Sequence, residues 1–205
     1  MPCVLPSRVI IPTHRENSEK MDIIASMPTR EEIIVQNVKP FLQAKQRIVE
    51  IGAGNGLCAQ MLHDATDADF TLLDVVDYNA SKLPMRVYDG KSLPFEDNTF
   101  DVAMLVFVLH HNPDPRPILR EALRVARDGV LVVENDTRGF IKRPLTRVID
   151  STEWLHRGVP PNYFVKSTDE WLEFFRALPA RATELHRFEI GWYWKNIILK
   201  VEKIS

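Results

Sequence analysis

Short runs of apolar residues recur along the chain, at residues 48–51, 70–74, 85–88, 101–107 and 130–134. Runs of this length, rich in Val, Ile and Leu and bounded by glycine or polar residues, are typical of buried strands. The run at 101–107 has no alternation of polar and apolar positions, which favours a central strand of a parallel sheet. The pattern therefore predicts a sheet built mainly from buried parallel strands.

Segments with helical periodicity lie between these runs. Thr29-x-x-Glu32 and Ser167-x-x-Glu170 are capping boxes, and apolar positions at helical spacing follow each of them. Pro40 lies inside the first helical pattern and predicts a kink or a break there.

Two further helices are predicted, and the first of them starts at residue 57. We expect Asp114 to cap the second helix and Pro115 to be its first residue. Residues 79–84 leave little room for a crossover helix between the second and third strands, so we expect a turn. Two strands at 181–190 and 193–202 close the chain as a hairpin. Strands alternating with helices predict an α/β fold.

Composition narrows the class of protein. The chain has 205 residues, 45% hydrophobic and 26% charged, which predicts one domain over 1–205. A net charge of −2 indicates neither nucleic acid nor an anionic membrane as a partner. Only Cys3 and Cys58 are present, and no signal-peptide layout or membrane-length apolar run occurs, so we expect a cytoplasmic protein.

The first apolar run leads into a glycine-rich turn, Glu50-Ile-Gly52-Ala-Gly54-Asn-Gly56. A dinucleotide-binding fingerprint requires its third glycine at position 57, where this chain has Leu57. A nicotinamide-dependent oxidoreductase is therefore disfavoured. The E-x-G-x-G-x-G pattern resembles the first motif of class I S-adenosylmethionine (SAM)-dependent methyltransferases.

An acid at the end of the second strand fits a ribose-binding role. Asp74 ends the run at 70–74, and a carboxylate can accept hydrogen bonds from both hydroxyls of a ribose. Asp77 is the alternative, but it falls past the expected end of the strand.

Residues 89–101 carry the most specific resemblance. Asp89-Gly90 opens a segment that reads D-G-x-x-L-P-F-x-D-x-x-F-D, and the run at 101–107 is followed by Leu109-His110-His111. Both resemble the small-molecule branch of class I methyltransferases, which includes the quinone-biosynthesis enzymes. In that branch the first acid binds the adenine amino group and the next residue lines the adenine pocket.

The resemblance implies a Rossmann-like seven-stranded sheet, mostly parallel, with an antiparallel C-terminal strand and helices on both faces. It implies SAM as cofactor, S-adenosylhomocysteine as product and in-line transfer of a methyl group to a small molecule. The residues expected at the cofactor are Glu50, Gly52, Ala53, Gly54, Gly56, Asp74, Val75, Asp89, Gly90 and Phe107.

His110 and His111 are the candidate catalytic bases, because an imidazole titrates near neutral pH. Each can instead be a structural histidine. No zinc-ligand spacing occurs, so no metal is expected.

Other questions stay open in the sequence. Residues 1–27 are either a strap over the core or a lid over the cofactor. Residues 136–166 are either a substrate cap, as we expect, or a solvated amphipathic helix. Their basic cluster at 138–147 is compatible with an anionic substrate or with peripheral contact with a lipid surface. A non-catalytic SAM-binding module and an RNA or protein methyltransferase are the alternative functions. The acceptor atom and the oligomeric state are not determined.

Overall fold

The computed structural model describes residues 27–137, 164–191 and 194–204. Its strands are β1 (Arg47–Ile51), β2 (Asp69–Asp74), β3 (Met85–Val87), β4 (Val102–Val106), β5 (Val130–Asn135), β6 (Ala180–Ile190) and β7 (Trp194–Lys203). They form one seven-stranded sheet in the order β3-β2-β1-β4-β5-β7-β6. The first five strands are parallel, whereas β7 runs antiparallel to both β5 and β6. This confirms the predicted fold class and the closing hairpin.

The α-helices are α1 (Arg30–Val38), α2 (Leu57–Thr66), α3 (Arg116–Val125) and α4 (Thr168–Arg176), with 3₁₀ turns at Lys39–Phe41 and Leu109–His111. Both predicted capping boxes are present, at the starts of α1 and α4. Pro40 lies in the 3₁₀ turn that follows α1, so the predicted break at this residue is confirmed.

The prediction that Asp114 is the N-cap residue of α3 is wrong. Pro115, not Asp114, occupies the N-cap position, and no side chain caps this helix. The Asp114 carboxylate instead accepts hydrogen bonds from the backbone N and the Nε of Arg116, over 3.2 and 2.6 Å. The guanidinium therefore holds the acid at the surface.

Helices cover both faces of the sheet. On one face α1 and α2 contribute the buried side chains of Ile34, Val38 and Leu62. On the other face α3 and α4 pack against the strands, with Trp171 and Phe175 fully buried. Burying a side chain such as that of Phe175 stabilises the fold by about 1.5–3 kcal/mol. In open α/β sheets, ligands bind at the edge formed by the carboxyl ends of the parallel strands.

A turn replaces a helix in the connection from β2 to β3, as predicted. Asn79 Oδ1 accepts hydrogen bonds from the N and Oγ of Ser81, over 2.9 and 2.7 Å. Asn79 Nδ2 donates to the carbonyl of Leu83 over 2.9 Å. The backbone N of Ala80 donates to the carbonyl of Asn55, which attaches this connection to the glycine turn.

Most of the expected strap at 1–27 and of the expected cap at 136–166 lies outside the described residues, so both stay predictions. No helix within the described ranges is both long and apolar enough to cross a membrane.

Candidate functional site

The glycine turn after β1 is anchored to the end of β2. The backbone N atoms of Gly52 and Ala53 both donate to the carbonyl of Leu73, over 2.8 and 3.0 Å. Gly52 has a φ of +75°, which glycine adopts without strain. A Cβ atom on Gly52 would lie 2.6 Å from Cγ2 of Val108. One side of the turn is therefore closed by the segment that follows β4.

The turn is open at Gly54. A Cβ atom built on this residue meets no other atom within 4 Å, and its φ is +57°. The backbone N of Gly54 donates to Asp74 Oδ2 over 2.8 Å, and the backbone N of Val75 donates to Asp74 Oδ1 over 2.7 Å. A carboxylate offers about four lone-pair sites, so Asp74 retains acceptor capacity for hydroxyl groups. Gly56, with a φ of +71°, is the N-cap residue of α2.

Glu50 carries a buried carboxyl group on β1. The residue is 2% exposed, and its Oε2 atom has no hydrogen-bond partner. Burial, and to a smaller extent the charge of Asp74, raises the pKa of this carboxyl to about 8. Ionising a buried acid costs free energy unless a cation compensates it. Glu50 is therefore suited to receive a cationic group of a ligand.

Asp89 and Gly90 form a turn beside the end of β2. Asp89 Oδ1 accepts hydrogen bonds from the backbone N atoms of Lys91 and Ser92, over 2.9 and 3.2 Å, and these bonds lower the pKa of the carboxyl. A Cβ atom on Gly90 would lie 3.1 Å from Cγ1 of Val75. Val75 is 54% exposed. Gly90, which is expected to line the adenine pocket, and Val75, which is expected at the cofactor, are thus direct neighbours.

Phe107 follows β4 with an unusual backbone conformation. Its φ is +58°, which is uncommon for a residue other than glycine, and its backbone N donates to the carbonyl of Val133 over 2.8 Å. The Cζ atom of Arg30 lies 4.7 Å from the centroid of the Phe107 ring. The start of α1 therefore covers the carboxyl end of β4.

His110 is held by Glu134 at the end of β5. His110 Nδ1 lies 2.6 Å from Glu134 Oε2, and both side chains are almost fully buried. Glu134 Oε1 also accepts hydrogen bonds from the backbone N atoms of Leu109 and His110, over 2.7 and 3.3 Å. Because a carboxylate only accepts, Nδ1 carries the proton and the lone pair of the neutral ring is on Nε2. This is the arrangement of an oriented general base.

His111 has a different environment. Burial, followed by the neighbouring His110, lowers the pKa of its imidazole to about 4. The two ring centroids are 4.2 Å apart, and His111 Nδ1 is buried without a hydrogen-bond partner. His111 is therefore neutral at neutral pH and a weak base, which makes it better suited to contact a ligand than to remove a proton.

The structure places most of the expected residues at one edge of the sheet, where β1, β2 and β4 end. Asp77, the alternative to Asp74, lies outside β2 and accepts a hydrogen bond from the backbone of Asn79 over 3.0 Å. Two residues were missed by the sequence reasoning. Glu134 could have been noticed as an acid at the end of an apolar run, whereas no sequence signal marks Arg30.

A metal was not expected at this edge. In the part of the chain that the structure describes, no cluster of three or more His, Cys, Asp or Glu side chains is placed to hold a metal ion.

Comparisons with known proteins show which proteins this chain resembles. A family model described as a methyltransferase domain matches residues 49–133. The chain is 30% identical over 169 residues to a demethylmenaquinone methyltransferase of Corynebacterium kroppenstedtii. The aligned region covers 74% of this chain and 71% of that protein. It is 32% identical over 101 residues to a 27-O-demethylrifamycin SV methyltransferase of Amycolatopsis mediterranei, over 43% of this chain and 37% of that protein.

A solved structure from Thermotoga maritima has the same fold. It is described as a SAM-dependent methyltransferase and possible histamine N-methyltransferase. Its TM-score is 0.62 at 19% identity, over 92% of this chain and 96% of that one.

Proposed function

Because the chain belongs to the class I SAM-dependent methyltransferases, we propose that it methylates a small organic molecule, with quinone-type rings as the first acceptor class to test. The methyl donor is S-adenosylmethionine. The acceptor class is supported by the relatives, whose names refer to demethylmenaquinone and to demethylrifamycin.

One observation carries the assignment of the cofactor site. The unpartnered, buried Oε2 of Glu50 lies on the strand that leads directly into the turn, and this turn is open at Gly54. The amino-acid portion of SAM has a cationic ammonium group, which would satisfy this carboxylate. Asp74 would accept hydrogen bonds from the ribose hydroxyls, while Val75 and Gly90 would border the adenine.

The expected cofactor set is completed by Gly52, Ala53, Gly56, Phe107 and Asp89, whose carboxylate would bind the adenine amino group. The three glycines of this turn carry no side chains that would obstruct a ligand, and Phe107 contributes an aromatic ring directly after β4. These roles agree with the positions of the residues, and the binding experiments below test them.

Methyl transfer requires above all that the protein positions the methyl donor and the acceptor. SAM supplies a methyl group on a sulfonium, which is already an activated leaving group. The protein holds the acceptor in line and excludes water. Where the acceptor must lose a proton, His110 Nε2 takes it, and Glu134 stabilises the resulting imidazolium. His111 stays neutral and contacts the acceptor.

Calorimetry with SAM tests the cofactor site. We expect binding by the unaltered protein and a loss of about tenfold or more for Asp74→Ala, because a carboxylate that accepts several hydrogen bonds is removed. Asp77→Ala is the matched control and should bind SAM normally. Equal affinities for the Asp74 and Asp77 variants would contradict the site, and no SAM binding by the unaltered protein would contradict the proposed function.

The acceptor class needs a separate experiment. The protein is incubated with methyl-labelled SAM and a naphthoquinol that lacks the ring methyl group, and then with a cell extract. We expect label in the small-molecule fraction. Label confined to RNA or protein would favour the other methyltransferase classes, and SAM binding without any label would favour a non-catalytic module.

A further inference from the structure

The segment that follows Asp89 and Gly90 is attached to helix α3 through Glu121. The backbone N of Leu93 donates a hydrogen bond to Glu121 Oε2 over 2.8 Å, and the Oγ of Ser92 donates to the same oxygen over 3.4 Å. Leu93 is 3% exposed, so its backbone N would be costly to leave without a partner. Glu121 therefore replaces the water that this part of the segment has lost.

Arg124 lies three residues after Glu121 on the same helix and uses all five of its N–H donors. Nε and Nη2 donate to the two carboxylate oxygens of Glu121, each over 2.8 Å. Nη2 also donates to the carbonyl of Leu93 over 3.1 Å. Nη1 donates to the carbonyl of Phe95 and to Asp97 Oδ1, over 2.8 and 2.9 Å. The guanidinium therefore joins the helix to three residues of the segment.

This contact is rigid because a planar guanidinium and a carboxylate pair through two parallel hydrogen bonds. The hydrogen bond from Arg124, together with that from the backbone N of Leu93, lowers the pKa of Glu121 to about 2. Glu121 is thus ionised at neutral pH and acts only as an acceptor. The ring of Phe95 packs edge-on against the buried ring of Phe100, with centroids 4.8 Å apart, which fixes the far end of the segment.

The near end of the same segment orients Asp89. Asp89 Oδ1 accepts hydrogen bonds from the backbone N atoms of Lys91 and Ser92, over 2.9 and 3.2 Å. Ser92 thus contacts Asp89 through its backbone and Glu121 through its hydroxyl. A continuous path of hydrogen bonds leads from Arg124 through Glu121 and Ser92 to the exposed carboxylate of Asp89.

We propose that Glu121 and Arg124 are positioning residues for the adenine of the cofactor, because they fix the segment that orients the Asp89 carboxylate. This inference rests on the proposed cofactor site, in which Asp89 binds the adenine amino group. The two residues act through the backbone of the segment. A hydrogen bond weakens steeply when its angle departs from linearity, so a loosely held carboxylate selects an amino group less well.

Two ligands measure this selectivity. They are S-adenosylhomocysteine and its 6-deamino analogue, in which a hydrogen atom replaces the adenine amino group. Calorimetry gives the ratio of their affinities for the unaltered protein, Asp89→Ala, Glu121→Gln, Arg124→Lys and Arg124→Met. The matched control is Arg116→Met, because Arg116 also pairs with an acid, Asp114, but at the start of α3.

We expect the unaltered protein to prefer S-adenosylhomocysteine by about tenfold or more, the size of a hydrogen bond to a charged group. Asp89→Ala should remove this preference. Arg124→Met should reduce it to about threefold or less, while affinity for the 6-deamino analogue changes less than about threefold. Arg124→Lys and Glu121→Gln should give intermediate ratios, since each keeps part of the hydrogen-bonding pattern. Arg116→Met should keep the full preference.

A full preference in Arg124→Met, or an equal loss of affinity for both ligands, would overturn the proposal and leave Arg124 a purely structural role. If Arg124→Met folds poorly in a thermal melt, Arg124→Lys and Glu121→Gln decide the question, and full preference in both overturns it. A preference that survives in Asp89→Ala, or that is absent from the unaltered protein, would also overturn it. Failure of the unaltered protein to bind either ligand would instead contradict the proposed function.

Discussion

Replacing Glu50 by glutamine should stabilise the ligand-free protein near pH 8 and weaken its binding of SAM. Glutamine has nearly the same shape but cannot ionise. Burial, and secondarily Asp74, raises the pKa of the Glu50 carboxyl from 4.5 to about 8. The buried acid therefore opposes folding wherever the solvent pH favours its ionised form.

The sign and size of this pH effect on stability follow from the pKa of the Glu50 carboxyl in the unfolded and folded chain. The contribution of Glu50 to stability is fully present below pH 4.5, where both the folded and unfolded forms keep the proton. It decreases as pH rises, because the unfolded chain ionises first, and the decrease is complete at about pH 8. The gap from 4.5 to about 8 corresponds to roughly 5 kcal/mol at about 1.4 kcal/mol per pH unit.

Urea unfolding at about pH 5 and about pH 8 measures this difference. The unaltered protein should lose several kcal/mol more than Glu50→Gln over this interval, and titrations elsewhere in the chain cancel in the comparison. Asp77→Asn, an exposed acid, is the control. Calorimetry should then show SAM binding weakened by about tenfold or more in Glu50→Gln, with little change for 5′-methylthioadenosine. Equal pH-dependent losses in the two proteins would refute the reasoning.

Three further substitutions test the glycine turn and the role of His110. Gly52→Ala should cost about 2–5 kcal/mol in urea unfolding, because its Cβ would lie 2.6 Å from Val108 at a left-handed backbone position. Gly54→Ala should cost only about 1–2 kcal/mol in unfolding free energy, because only its backbone conformation is strained. It should still weaken SAM binding in calorimetry, because its Cβ enters the open side of the turn. Equal destabilisation by Gly52→Ala and Gly54→Ala would contradict this contrast. Glu134→Gln should lower the single-turnover rate of methyl transfer by about 10²–10⁴-fold for an acceptor that must lose a proton, since His110 loses its orienting carboxylate. SAM affinity should change less than about twofold, and an unaltered rate would exclude His110 as the base.

The order of strands and helices could be predicted from the sequence because it depends on local signals. Apolar runs, capping boxes and Pro40 each determine the backbone structure of only a few neighbouring residues. The replacement of a helix between β2 and β3 by a turn was likewise visible as a short segment.

The pairing of side chains at the site could not be predicted in the same way. His110 and Glu134 meet because β4 and β5 pair in a particular register. Arg30 reaches Phe107 only through the packing of α1 over the sheet. Asp74 was expected at a ribose, and its hydrogen bond to Gly54 depends on the backbone conformation of the turn. These contacts join residues far apart in the chain, so no local pattern encodes them.

The helix-free connection between β2 and β3 links the stability of the sheet edge to the glycine turn after β1. A Cβ atom on Gly56 would lie 2.8 Å from Ser81 Oγ and 3.0 Å from Asn79 Oδ1, so these polar side chains lie directly against the turn. The connection keeps its shape through side-chain hydrogen bonds, not through an apolar helical face. Segments of this kind open at a lower free energy than the sheet interior. Amide hydrogens of the three-residue strand β3 should thus exchange together with those of the turn, and a ligand bound at the turn should slow the exchange of both.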